Sequence, residues 1–166
     1  MNRETLFRGK RKDNNEWVQG YYFKRVRNYV GFKTIEHCYI QYETWDEGFI
    51  TYEVYLETVS QFTGLTDNDG KKIFEGDIIR YCDEDYCYYS EDCTEFFGKV
   101  VQECGAFGVG TQSELPLELE NWCGNDNFVS LWEIYWNLNC SDDRLPMIEV
   151  IGNIYDNKEL LENERI

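Results

Sequence analysis

The chain has 166 residues and a formal net charge of −16. That length suits one ordinary domain with a real core, or one domain plus a small lobe. A hydrophobic share of 42% means that disorder is not the default, and no apolar run reaches the ~18 residues that a membrane-spanning helix needs. Aromatic residues make up 17%, with 13 Tyr, 10 Phe and 5 Trp, which favours half-buried pleated surfaces and hence β structure.

In chain order, residues 5–24 read as a hairpin. Thr5-Leu6-Phe7-Arg8 is β-prone, Lys12-Asp13-Asn14-Asn15-Glu16 is turn-rich, and Trp17 to Phe23 supplies aromatic and β-branched residues. Residues 29–42 and 49–59 read as further strands around a turn at Asp46-Glu47-Gly48. In the second, alternation puts Tyr52, Val54 and Leu56 on one face and Glu53, Tyr55 and Glu57 on the other. Residues 60–81 hold two tight turns, Thr66 to Lys71 and Glu75-Gly76-Asp77, with Gly70 free to take positive φ. Turns this closely spaced favour an antiparallel meander or small barrel over βαβ units.

Residues 82–95 change character, with six acids among three Cys and three Tyr, and read as an exposed excursion between two strands. The second of those strands is Phe96 to Val101. Residues 128–139 fit a helix (Trp132, Tyr135, Trp136, Asn139 on one face) or a strand (Phe128, Trp132, Ile134, Trp136) equally well. Met147 to Ile154 is a closing strand. Asp156, with Glu159 three residues later, predicts a capped short helix through Leu160-Leu161.

Charge is uneven. Residues 1–33 carry nine basic and three acidic side chains, so they stand at +6 and the remainder at −22. Such segregation points to a charged partner, or to the basic segment packing on acidic neighbours in this or another subunit. The start, Met1 to Arg8, has no apolar core of a signal peptide, so the expectation is a protein that stays in the host-cell cytoplasm with its seven cysteines as thiols.

Three stretches, Leu6 to Tyr21, Val59 to Ile79 and Val150 to Leu161, together resemble the YopX family of phage and prophage proteins. They stand in the family's order and reach both ends of the chain. The resemblance implies a mainly β fold, a phage or prophage origin and self-assembly, with a hexamer as the implied form. It implies no catalytic residue and no cofactor. The acidic Cys/Tyr segment at 82–95 departs from the family pattern as an insertion.

No constellation in the chain spells out a reaction. His37 and Cys38 are adjacent, and neighbours on a strand face opposite ways, which argues against a thiol–imidazole pair. The cysteines form no C-x-x-C pair and a single histidine is present, which argues against structural zinc. Asp67-Asn68-Asp69-Gly70 fails as a calcium loop, because Leu65 and Gly76 would fall on ligand positions. Gly105 to Gly110 lacks the Lys-Ser/Thr of a phosphate loop and fits a bulged or tightly turned strand. The basic, aromatic segment 1–33 could grip nucleic acid, but the net charge of the chain argues against direct binding.

The sequence therefore predicts one mainly β domain over residues 1–166, an antiparallel meander, partly barrel-like, with a short C-terminal helix. Its expected role is that of a non-enzymatic phage accessory protein that assembles with itself and engages a host or phage protein. The candidate partner surface is Asp83, Glu84, Asp85, Glu91, Asp92 and Glu95, which would suit a basic host protein and act as a DNA mimic or defence inhibitor. Simple solubility explains the same acids without a partner. The alternative is a small-molecule module with a pocket lined by Trp122, Trp132 and Trp136.

Overall fold

A computed structural model of the chain describes residues 5–29, 33–82, 95–103, 105–110, 128–137 and 147–162. The fold is mainly β, built from two open antiparallel sheets. The chain divides into two compact units, Met1–Gly64 and Leu65–Ile166.

The first unit holds β1 (Phe7–Lys10), β2 (Trp17–Tyr29), β3 (Lys33–Thr44), β4 (Gly48–Val54) and most of β5 (Ser60–Thr66), hydrogen-bonded in the order β4-β3-β2-β1-β5. The predicted hairpin is β1–β2, in register from Phe7↔Gly20 to Lys10↔Trp17. Its turn takes Asn15 to φ 62°. The same turn meets the far edge of the sheet: Lys12 N–H donates to the Glu53 carbonyl and Tyr55 N–H to that of Lys10, each at 2.9 Å, around an Arg11↔Val54 bridge. The sheet thereby curls back on itself, which gives the partly barrel-like form expected.

The inner face of that curl carries Cys38, Ile40 and Val54, with Phe7, Val18, Tyr22 and Val59 packed against them. Gly20 is required there, since a Cβ on it would strike the Gln41 carbonyl. One expectation fails after Val54. The alternation stops, residues Leu56–Thr58 form a single 3-10 turn, and Leu56 is exposed rather than inward.

The second unit begins within β5, which turns at 67–71 into its hydrogen-bonded neighbour β6 (Lys72–Phe74). Its sheet runs β10-β9-β8-β7-β11, with β7 (Asp77–Cys82), β8 (Glu95–Glu103), β9 (Ala106–Gly110), β10 (Phe128–Ser130) and β11 (Met147–Asn153). The ambiguous segment is both things in succession. β10 is followed directly by α1 (Leu131–Asn137), which buries Leu131 and Ile134 and leaves Trp132 exposed. The core here is aliphatic: Ile73, Ile79, Val100, Val109, Val129, Ile148 and their neighbours.

Both predicted turns of this unit form. Asp67 is buried, and its Oδ1 accepts N–H bonds from Asp69 at 3.1 Å and Lys71 at 2.8 Å, while Oδ2 accepts one from Val150 at 3.1 Å. Gly70 takes φ +80°. Gly76 takes φ +78° in the second turn, where Phe74 N–H donates to Asp77 at 2.8 Å. The C-terminal helix α2 spans Glu159–Glu162, so Asp156 is not its cap. Asn153 organises the intervening turn instead, its Oδ1 accepting the N–H groups of Tyr155 and Asp156 at 3.0 Å each.

Candidate functional site

Strands β2, β3 and β4 turn one face inward and the other to solvent, because side chains alternate along each strand. The pairings Tyr21↔Gln41, Phe23↔Tyr39 and Arg25↔His37 on one side of β3, with Gln41↔Thr51 and Tyr39↔Glu53 on the other, put these residues on the outer face. Phe23 and Tyr39 stack at 5.3 Å between ring centroids. The Arg25 guanidinium lies 5.4 and 5.5 Å from those two rings, within cation–π reach of both.

Beside this stack is a three-residue charge cluster. His37 Nδ1 donates to Glu53 Oε1 at 2.8 Å, and Lys12 Nζ donates to the same oxygen at 2.7 Å. The Lys12 hydrogen bond, followed by that of His37, holds the Glu53 carboxyl below its ordinary value against a smaller opposing effect of burial. Glu53 in turn raises Lys12. The elements that assemble the cluster are far apart in sequence: the β1–β2 turn supplies Lys12, β3 His37 and β4 Glu53.

Cys38 points the other way. It is buried beside Ile40 and Val54, with its sulfur 3.4 Å from the Tyr22 hydroxyl. Burial, then the Cys38 contact, raises Tyr22 above its ordinary value. His37 and Cys38 therefore form no nucleophile–base pair, as their alternation on one strand predicts. At the β3–β4 turn Trp45 is fully exposed and Phe49 largely so, flanked by Glu43, Asp46 and Glu47. Thr44 stiffens this tip: its hydroxyl donates to the Gly48 carbonyl at 3.3 Å and accepts Glu47 N–H at 3.2 Å.

Of the predicted partner surface, Asp83, Glu84, Asp85, Glu91 and Asp92 lie outside the described residues, and Glu95 opens β8 opposite Cys82. Of the three tryptophans proposed to line a pocket, Trp122 lies outside the described residues, Trp136 sits in α1, and Trp132 on the same helix is 62% exposed. The turn at Asp67 to Gly70, which fails as a calcium loop by its spacing, has its Asp67 carboxylate occupied by backbone N–H groups. No local motif marks the outer-face cluster in the sequence. Only the period-2 alternation in β3 and β4 hints at it, and pairing the two strands requires a register that the sequence does not print.

Charge follows the division into units. Residues 1–64 hold nine basic and nine acidic side chains, which cancel, whereas residues 65–166 hold seven basic and 23 acidic ones. The whole net charge of −16 thus belongs to the second unit.

Among solved structures, the chain is similar to the crystal structure of protein EF1440 from Enterococcus faecalis. The identity is 20%, over 95% of this chain and 97% of that one, with a TM-score of 0.41. No curated protein matches. The family pattern described as YopX protein matches residues 6–162, from just before β1 through the end of α2. With that match spanning nearly its whole length, the chain belongs to the YopX family.

Proposed function

We propose that this is a non-enzymatic accessory protein of a phage or prophage that assembles with itself and engages a basic host or phage protein through its acidic second unit. The observation that supports the reading is the confinement of the entire −16 charge to residues 65–166. A surface so charged attracts a nucleic-acid-binding protein by the same field that DNA presents, and so competes with DNA for it. The segment at 82–95 concentrates six of those acids.

Capture from host lysate on immobilised protein tests the reading. A basic partner should be retained, released by salt, and displaced by duplex DNA. Changing Asp83, Glu84, Asp85, Glu91, Asp92 and Glu95 to Asn or Gln should weaken that capture while leaving the melting temperature unchanged or higher. Retention of the partner at undiminished affinity would assign those acids to solubility alone. Failure to retain any basic protein would remove the mimicry reading.

A further inference from the structure

Among the described residues the β2–β3 pair continues beyond its neighbours. β1 pairs with β2 only over Trp17 to Gly20, and β4 pairs with β3 only over Cys38 to Thr44. β2 and β3 nevertheless stay in register out to Tyr29↔Lys33. The five pairs from Arg25↔His37 to Tyr29↔Lys33 therefore have no third strand beside them among the described residues. At ~3.4 Å per residue they make an arm about 17 Å long.

Such a ribbon is a poor free-standing object. A two-stranded hairpin is marginally stable in water, and among the described residues no strand pairs with either edge of this one. It also exposes aliphatic surface on both sides. Val26 pairs with Glu36 and Ile35 with Arg27, so alternation puts Val26 and Ile35 on opposite faces, 56% and 42% exposed. The arm residues include Arg25, Arg27 and Lys33 against one acid, Glu36, and Lys24 stands next to them at the base of the arm. Lys24 engages Glu36 at 3.7 Å, and Arg25 is exposed over its two rings with no carboxylate beside it among the described residues.

We infer that this arm is the assembly element of the protein, docking on the acidic second unit of another copy. The inference rests on the self-assembly reading above and goes further by naming the surface. Exposed valine and isoleucine are what a protein surface covers and a phosphate backbone does not, which favours a protein occupant over nucleic acid. The complementary charge is always at hand, because each copy carries −16 on residues 65–166 while the unit bearing the arm is neutral. With a Debye length of ~8 Å at physiological salt, local pairing at the contact outweighs repulsion between whole chains.

Two variants of the full chain test this by light scattering across a concentration series. One carries Lys24→Glu and Arg25→Glu. The other carries Val26→Thr and Ile35→Thr, which keeps β-branching and so the strand propensity. The wild type should show a mass of several chains, and each variant should dissociate at least about tenfold more readily, a difference of about 1.4 kcal/mol. If the charge variant fails to fold by circular dichroism, the threonine variant decides. An assembled wild type with both folded variants assembled equally tightly would overturn the arm and leave self-assembly standing. A monomeric wild type at low and high salt would remove both. Tighter binding of the arm to a short DNA duplex than to its own copies would overturn the choice of occupant.

Discussion

Among the described residues, the buried cluster of the first unit contains Cys38, Ile40 and Val54, whereas that of the second contains ten residues, nine of them Ile, Leu or Val and the tenth Tyr81. The first unit compensates with backbone pairing: long strands, a curled sheet and ion pairs at its rim. It is also neutral, and it exposes aromatic and cationic side chains on its outer face. The second unit is where apolar burial is concentrated and where the charge resides. The contrast separates a unit dominated by surface interactions from one dominated by core burial, and each can be perturbed without touching the other's residues.

The largest expected effect is in the second core. Ile134→Ala or Ile79→Ala should lower unfolding free energy by about 2–5 kcal/mol, since both side chains are fully buried among aliphatic neighbours. Urea denaturation measures it. A loss no greater than that of a conservative truncation in the first unit would break the comparison.

Next is Asp67. Its carboxylate satisfies three backbone N–H groups, one of them that of Val150 in β11. Asp67→Ala should cost about 3 kcal/mol, because buried donors lose their acceptors, and Asp67→Asn should cost less because it retains one acceptor oxygen. Equal losses for the two variants would show that charge, rather than hydrogen-bond geometry, is what the turn uses. In the first unit, Cys38→Ala removes only a small buried sulfur beside Tyr22 and should cost about 1 kcal/mol. A much larger loss would mean that the first unit depends on its small core more than its strand pairing suggests.

The turns at Asp67 to Gly70 and Glu75 to Asp77 were legible because their chemistry is local: a carboxylate two to four residues from the N–H groups it accepts, and a glycine at positive φ. Strand alternation was legible wherever the strand was straight. It misled at Leu56, where a 3-10 turn breaks the period. The capping pattern misled at Asp156, where Asn153 and Asn157 hold the turn and delay the helix to Glu159. Residues 128–137 satisfied both periods because the chain changes from strand to helix after Ser130. The outer-face cluster was not legible. Lys12 and Glu53 are 41 residues apart, and only the curl of the sheet brings them within 2.7 Å. The length mismatch that creates the arm likewise depends on where β1 and β4 stop pairing, which no local pattern encodes.

The smallest expected effect concerns that cluster and follows from the direction of one pKa. Glu53 is lowered in the folded protein, chiefly by the Lys12 hydrogen bond and then by His37. The unfolded chain therefore takes up a proton at this carboxyl before the folded one does. The stabilisation is fully present above the ordinary carboxylate value and disappears as pH falls through the lowered one. The side chain is a third exposed, so solvent screening keeps the contribution below about 1 kcal/mol. Thermal melts of the wild type and Glu53→Gln from pH 7 to pH 3 should differ by a nearly constant small amount at the upper end. The two curves should converge in acid, where the wild-type carboxyl also becomes neutral. Divergence on acidification would mean that protonated Glu53 is the stabilising form, and would place the cluster's strength in something other than the Lys12 and His37 contacts.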